Sequence, residues 1–563
     1  MQAVIDGKYI ECLEGETILQ AAKKNHACIP TLCHHPMLEP EGRCRVCLVE
    51  ANGKIVTSCD TAVQEGMHII TSSEKLQRLR RDAVDLIASS VSPETLKEEN
   101  ELTKAMEETG LKKPSFQNYK KTGKDNSSNA VWRNNGRCID CGRCVQSCSS
   151  VQSVDAITFS GRSNKMQVEG VEGEPLAKTT CVSCGQCSLV CPTNAITEAF
   201  EVEKVEKALR EKRKLKVVQI APSVRVSLGE CLGMEPGKIV TGKIAAALKK
   251  AGFDVVFDTN FSADLTIVEE SSEFVERVTE GKTPLFTSCC PAWTDFCCQF
   301  YPEFVPNLST AKSPQQMMGA MIKTAYAKKR GIKPSKILSV SIMPCTAKKK
   351  EARLKEMRVS GAQDVDFVLT TRELALLFKK KGIDLEKMKE TEFDDPLGES
   401  TGAGAIFGVT GGVMEAALRT AYFLIEGKEL GDVELKMTRG GKGIREFEIG
   451  LKGKKFRAAV AHGLANARLL LERIKKGEQF HFVEVMACPG GCIGGGGQPK
   501  ITDQGKISAR TDAIYAVDRG KGKRKSHQNT AVKKLYCEFL EKPGSGKAKA
   551  LLHRHYPKNR KTE

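Results

Sequence analysis

A chain of 563 residues is long enough for three or four ordinary domains, and it holds no run of about eighteen apolar residues that would suggest a membrane-spanning helix. The formal charge of +18 raises the question of nucleic acid, but aromatics make up only 6% and no nucleic-acid-binding motif is present, so that class is set aside. Much of the charge lies in 211–216 and from Arg519 onward, and it suits either a basic face for an acidic electron carrier or a solvated surface. The N-terminal MQAVIDGKYIECLEGETILQAA lacks the basic-then-apolar pattern of a secretory signal, which predicts a cytoplasmic protein.

In a reducing compartment, 23 cysteines in clusters mean metal, and sixteen of them fall into four sets of four. Residues 1–78 read as a small α+β unit: strands AVIDG and KYIECL, a Gly turn, and a helix from GETILQAAKKN with Thr17 as N-cap. Cys33, Cys44, Cys47 and Cys59 follow as C-x10-C-x2-C-x11-C, with Gly42 and Gly53 suited to tight loops. This is not the plant-type ferredoxin spacing. It resembles the N-terminal [2Fe–2S] domain shared by [FeFe]-hydrogenases and the large iron–sulfur subunit of respiratory NADH dehydrogenase, with a structural zinc as the alternative. Residues 79–130 read as a helix (LQRLRRDAVDLIASS) and a polar linker (KKTGKDNSSN).

Residues 131–204 carry Cys138, Cys141, Cys144 and Cys148 as C-x2-C-x2-C-x3-C, repeated by Cys181, Cys184, Cys187 and Cys191 before Pro192. This is the bacterial two-cluster ferredoxin run, whose fourth cysteine ligates the other cluster. One [4Fe–4S] cluster would take Cys138, Cys141, Cys144 and Cys191; the other would take Cys148, Cys181, Cys184 and Cys187. Ser149 stands where the first motif usually has Pro.

From 205 to 515 the chain alternates strands (KLKVVQIAPSV, GFDVVFDTN, ADLTIVEE, TPLFTSC, KILSVSIMPC) with helices such as GKIAAALKKAG. That alternation predicts an α/β domain with largely parallel sheets and chemistry at strand ends. Three such ends carry cysteine: Thr287-Ser288-Cys289-Cys290-Pro291, Met343-Pro344-Cys345, and Met486-Ala487-Cys488-Pro489-Gly490-Gly491-Cys492. Glycines 494–497 then let backbone approach a bulky group.

TSCCPAW, MPCTAKKKE and EVMACPGGCIGGGGQP closely resemble the signature motifs of [FeFe]-hydrogenases, and IAPSVR, LSTAKSPQQMMG, FGVTGGVMEAALR and LLHRHY extend the likeness over most of the chain. The resemblance implies a multidomain α+β and α/β protein: a β-grasp [2Fe–2S] ferredoxin-like domain, a two-[4Fe–4S] ferredoxin domain, an H-cluster domain with two mainly parallel sheets, and a small-subunit-like helical tail over 516–563. The activity it implies is the reversible conversion of protons and electrons to H2. The H-cluster is a [4Fe–4S] cubane bridged by one cysteine to a diiron centre with CO, cyanide and azadithiolate. By position its ligands would be Cys290, Cys345, Cys488 and Cys492, with Cys492 the bridge. Lys348 would donate to one cyanide, with Pro222 and Ser223 serving the other. Met343, Met486, Phe407 and Gln315 would complete the wall.

The family proton relay maps onto Cys289, Glu270, Ser309 and Glu273; the two glutamates, three apart, share one helical face, and burial would raise their pKa values. Cys12, Cys28, Cys231, Cys297, Cys298 and Cys537 are expected to be buried structural thiols. Large family members carry a further cluster bound by one His and three Cys, but 76–130 contains neither His nor Cys, so that cluster is expected to be absent. Electron partners would be ferredoxin or flavin/NADH-dehydrogenase-like subunits. The rival readings are a hydrogen sensor and an iron–sulfur assembly protein of the related branch.

Overall fold

The computed structural model describes residues 1–118, 123–500 and 505–556. Strands β1 (Gln2–Ile5), β2 (Lys8–Glu11), β3 (Leu48–Ala51), β4 (Lys54–Thr57) and β5 (His68–Ile70) form one sheet in the order β2-β1-β5-β3-β4. Asp6 and Gly7 both take positive φ (48° and 80°) and close the first hairpin with a two-residue turn. Helix α1 (Ile18–Lys24) starts at Thr17 with a reciprocal capping box to Gln20. Its Ile18, Ala21 and Ala22 pack on Ile5, Val49 and Ile69. The loop between α1 and β3 carries Cys33, Cys44 and Cys47, and Cys59 lies just beyond β4.

Helix α2 (Glu74–Ser89) is capped by Ser73, and a second helix, α3 (Glu101–Glu108), is capped by Asn100. The pair packs on Leu32 and Val46 of the first cysteine loop, so this segment is a wedge between modules rather than one helix and a tether. Of the expected polar linker, residues 120–122 lie outside the described residues; 124–125 form strand β6 (Lys124–Asp125), paired with β7 (Val131–Asn134). Two short helices, α4 (Arg143–Gln146) and α5 (Gln186–Val190), follow left-handed Gly142 (φ +82°) and Gly185 (φ +72°). Each glycine lets the chain turn tightly between the second and third cysteines of its motif. β8 (Ile157–Ser160) and β9 (Gln167–Gly170) form a hairpin, and β10 (Ile196–Glu198) joins β7.

Past α6 (Val202–Leu209) come β11 (Leu215–Ile220), α7 (Thr241–Ala251), β12 (Val255–Asp258), α8 (Thr259–Thr279), β13 (Leu285–Phe286), α9 (Pro291–Phe300) and α10 (Pro314–Met321). Then follow β14 (Ile337–Met343), α11 (Ala347–Glu351), β15 (Phe367–Thr370), α12 (Gly412–Glu426), β16 (Ile444–Leu451), β17 (Lys454–His462), β18 (Phe482–Met486) and α13 (Gly505–Arg519). One sheet, β12-β11-β14-β15, is wholly parallel; the other, β13-β18-β17-β16, is parallel except for the β16–β17 hairpin. All seven residues of β14 are buried, as a central parallel strand requires.

One expectation is overturned here. ADLTIVEE is not a strand but the middle of the 21-residue α8, started by Asp258, whose carboxylate accepts from the Asn260 N–H. Its apolar residues alternate with polar ones that are themselves buried, so a run that reads as β by local pattern is helical by packing on α10 and α12. The divisions at 78, 204 and 515 fall inside α2, α6 and α13, because helical periodicity does not report where packing partners change. After α13 the tail returns over α8: the Tyr536 hydroxyl donates to Glu269 (2.5 Å), and the His553 ring lies 3.0 Å from the same carboxylate.

Candidate metal centre and proton path

The C-terminal ends of four parallel strands, two from each sheet, converge on one cavity. β11 leads into Pro222 and Ser223, β14 into Cys345, β13 into Cys289 and Cys290, and β18 into Cys488. The cavity is lined by these residues with Cys492, Gln315, Met343, Lys348, Phe407 and Met486. Every residue expected at the cubane or at the diiron wall therefore lies on one surface. Backbone N–H groups opening α9 (Ala292, Trp293) point at the Cys290 sulfur, and those opening α11 (Ala347, Lys348) point at Cys345. Burial is the larger effect and raises both thiols' pKa values; these N–H groups offset part of that in favour of the thiolate.

The space suits a bulky inorganic group by three local tests. The Ser223 hydroxyl is buried without a hydrogen-bond partner. Gly491 (φ +92°) has room for nothing larger: an added Cβ would sit 2.6 Å from the Thr410 nitrogen and 2.9 Å from the Met486 sulfur. At Gly495, likewise, an added Cβ would run into the Pro344 carbonyl oxygen. Among the described residues no three of His, Cys, Asp or Glu close on a single metal ion.

Lys348 is buried, and its Nζ donates to the Cys289 carbonyl (2.9 Å) and to Glu351 (3.0 Å). Burial alone would lower its pKa, but Glu351, Cys345 and Cys289 together hold it above the usual value, so the ammonium keeps its charge. Glu351, which also accepts from Ser313 (2.9 Å) and Gln315 (3.2 Å), was missed in the sequence. The i,i+3 spacing of Lys348 and Glu351 on a helix was the signal for it.

Cys289 is half-buried on the cavity wall, and Glu270 lies near enough for its charge to bear on the thiol. Glu270 has no exposed surface, and neither oxygen closes a hydrogen bond. Burial, then the Glu273 charge, push its carboxyl up to about 8; the Ser309 hydroxyl and the Ser288 backbone lie close enough to offset only part of that. Further out, the Ser309 hydroxyl donates to Glu273 (2.8 Å), which also accepts from the Thr310 N–H (3.0 Å) and pairs with Arg277 (2.7 Å). Arg277, four residues on from Glu273, is the second residue missed; its side chain is 15% exposed and ends the row at the surface.

The accessory thiols lie near one another in groups. Cys33 is within hydrogen-bond reach of Cys44 and Cys59, and Cys59 of Cys47. Cys144 feels Cys141, Cys138 and Cys191 and, beyond them, Cys187, whereas Cys184 feels Cys148, Cys181 and Cys345; the two groups adjoin through Cys187 and Cys191. The second group abuts the cavity: the Thr346 hydroxyl donates to the Ser183 carbonyl (2.7 Å), and Gln186 donates to the Gly494 carbonyl (2.9 Å). Of the six remaining cysteines, Cys12, Cys297 and Cys298 are buried, but Cys28 and Cys537 are exposed and Cys231 is half-buried. Uniform burial was the wrong expectation for these three, since a thiol in a loop or on an outer helical face has no core to enter.

Fold and cavity define an oxidoreductase with ferredoxin-like modules feeding a thiol-lined centre. The C-terminal domain of the iron-only hydrogenase large subunit matches residues 214–496, and the iron hydrogenase small subunit matches 504–559. A 2Fe–2S cluster-binding domain matches 2–74, and a 4Fe–4S dicluster domain matches 132–198. The chain is 44% identical to the NADP-reducing hydrogenase subunit HndD of Solidesulfovibrio fructosivorans, and 40% identical to iron hydrogenase 1 of Clostridium pasteurianum. Each alignment covers 99% of both chains. An apo form of [FeFe]-hydrogenase HydA1 from Chlamydomonas reinhardtii superposes with a TM-score of 0.57 at 42% identity, covering 63% of this chain and 98% of that one.

The chain belongs to the [FeFe]-hydrogenase family. It is an iron hydrogenase, catalysing 2 H+ + 2 e− ⇌ H2, and its cofactors are one [2Fe–2S] cluster, two accessory [4Fe–4S] clusters and the H-cluster. Among the described residues no helix is long and apolar enough to cross a membrane.

Proposed function

We propose that Cys290, Cys345, Cys488 and Cys492 hold the cubane, with Cys492 as the bridge, and that Cys289 passes protons to the site. The observation that carries this is the single cavity on which these five thiols, Lys348 and the wall residues all open. When bound, the H-cluster supplies the redox chemistry that joins two electrons and two protons. The chain does the rest. Lys348, held by Glu351, presents a fixed positive charge to the anionic side of that group, and Ser223 offers an unpartnered hydroxyl opposite. Met343, Met486 and Phe407 keep water out. Glu273, Ser309, Glu270 and Cys289 form the row along which a proton moves inward, with Arg277 holding Glu273 at its outer end; Glu270, protonated near neutrality, is the member able to give its proton to Cys289 and be refilled.

Cys33, Cys44, Cys47 and Cys59 would bind the [2Fe–2S] cluster, Cys138, Cys141, Cys144 and Cys191 one [4Fe–4S] cluster, and Cys148, Cys181, Cys184 and Cys187 the other. With them goes the division expected at 1–78, 79–130, 131–204, 205–515 and 516–563, its boundaries at 78, 204 and 515 shifted to the ends of α2, α6 and α13. Residues 76–130, without His or Cys, would bind no further cluster. The electron partner is a ferredoxin or a flavin- or NADH-dehydrogenase-like subunit; the full-length likeness to an NADP-reducing hydrogenase subunit supports the latter. The location we propose is cytoplasmic.

Infrared spectroscopy and gas assays on anaerobically matured protein test this reading. Cyanide and CO bands with rapid H2 evolution are the expected result. Bands without turnover would indicate a sensor, and no bands would indicate an assembly protein. A fourth accessory signal by EPR would overturn the reading of 76–130. Co-purification from the native host would identify the redox partner, and cell fractionation checks the location.

A further inference from the structure

Two cysteine loops of different modules meet at one buried guanidinium. Arg143, first residue of α4 and placed between Cys141 and Cys144, is 3% exposed. Its Nε donates to the Cys33 carbonyl (3.3 Å), Nη2 to the His34 carbonyl (2.7 Å), and Nη1 to the carbonyl of Val190 (3.2 Å), the residue before Cys191. Glu101, in the first turn of α3, pairs with it at 2.8 Å. One side chain thus ties the first cysteine loop, two stretches of the dicluster domain and the intervening helix together. The surfaces around it are fitted to each other as well. A Cβ on Gly142 would lie 2.8 Å from the Glu41 carboxylate, Gln146 donates to the Glu39 carbonyl (3.1 Å), and the Arg43 guanidinium lies 4.8 Å from the centre of the Phe159 ring.

Burying a guanidinium is costly unless its N–H groups find acceptors, and here three carbonyls and a carboxylate supply them. Lysine could not replace it, because a single ammonium on a flexible stem cannot span acceptors on three chain segments at once. The clamp works beside apolar packing at the same joint: Leu32 and Val46 of the first loop pack with the α2–α3 pair, with Cys44 and Ile139 against them, and Cys144 and Cys191 belong to the dicluster core. Its consequence is to set the separation of the two cysteine loops, and one-electron transfer weakens steeply as such a gap widens.

We propose that Arg143 is a positioning residue for electron transfer, clamping the Cys33–His34 loop against the Cys144 and Cys191 loops so that the [2Fe–2S] cluster and the first [4Fe–4S] cluster exchange electrons at a fixed distance. This rests on the ligand sets proposed above. One electron leaves the reduced centre and reduces the other; no bond is made or broken and no proton moves.

The test uses the matured full chain with Arg143→Lys, Arg143→Gln and, at the partly exposed partner, Glu101→Ala. EPR counts the centres, rapid freeze-quench follows the [2Fe–2S] signal after mixing with H2, and hydrogen exchange reads protection in residues 33–43. Both Arg143 variants are expected to keep every accessory signal, to lose protection in that loop by about tenfold, and to slow appearance of the [2Fe–2S] signal by about tenfold. Glu101→Ala should shift both readouts in the same direction by a smaller factor. Rates and protection within about twofold of the parent in all variants that retain their clusters would overturn the proposal. Should both Arg143 variants lose a centre, Glu101→Ala decides alone. Cys33→Ser separates the two claims: if the [2Fe–2S] signal survives it unchanged, the ligand reading fails whatever Arg143 does.

Discussion

Glu270→Gln should slow the enzyme and stabilise the protein at once, a combination that a merely structural glutamate would not produce. The parent carboxyl is fully buried, both oxygens lack a hydrogen bond, and burial followed by the Glu273 charge raise its pKa from 4.5 to about 8. A raised acid pKa means that the folded state holds the proton more tightly than the unfolded chain. This contribution to stability is therefore fully present below about pH 4.5 and is lost as pH rises to about 8, at ~1.4 kcal/mol per pH unit. Over that span it amounts to about 5 kcal/mol as an upper figure, and above pH 8 it changes no further. Glutamine has the same shape and no charge to bury. The variant and parent should differ little in urea midpoint near pH 4.5, and the variant should be the more stable at pH 8.5. Its turnover should fall by about 10²–10⁴-fold, the usual worth of a positioned acid–base group. Parent H2 evolution should itself decline as pH rises past about 8, where Glu270 loses the proton it would pass on. Anaerobic urea curves at both pH values and H2 evolution from pH 6 to 9 supply the data. Turnover within about tenfold of the parent, or a variant less stable than the parent at pH 8.5, would refute the reasoning.

Cys289→Ala should keep the cyanide and CO infrared bands while turnover collapses by orders of magnitude, and near-normal activity would remove Cys289 from the relay. Gly491→Ala places a Cβ 2.6 Å from the Thr410 nitrogen at a φ of +92°, so purified protein should lose cubane iron; a full iron count would show that the loop tolerates the strain. Arg419→Met leaves Glu415 and Asp518, both wholly buried, with one guanidinium fewer between them. The loss should be about 3–5 kcal/mol, read as a lower anaerobic unfolding midpoint, and an unchanged midpoint would show that Arg439 and Arg524 suffice.

Much of this protein is legible in its sequence, because its cofactors demand particular residues at particular intervals. The two C-x2-C-x2-C-x3-C runs, the Thr17 cap and the cysteines ending apolar stretches depend on neighbours a few positions away, and local sequence specifies such features directly. Tertiary structure alone decided what depends on partners far along the chain. ADLTIVEE is helical because α10 and α12 bury it on several sides, and no local pattern distinguishes that from a strand. Glu351 and Arg277 carried only a helical spacing that also occurs on solvated faces, and their roles emerged from what they touch. Arg143 looked like any basic residue between two cysteines until the carbonyls of Cys33, His34 and Val190 were found around it. Identity and spacing select the chemistry of a site; burial and long-range contact decide which of its charged groups hold parts together and which carry a proton.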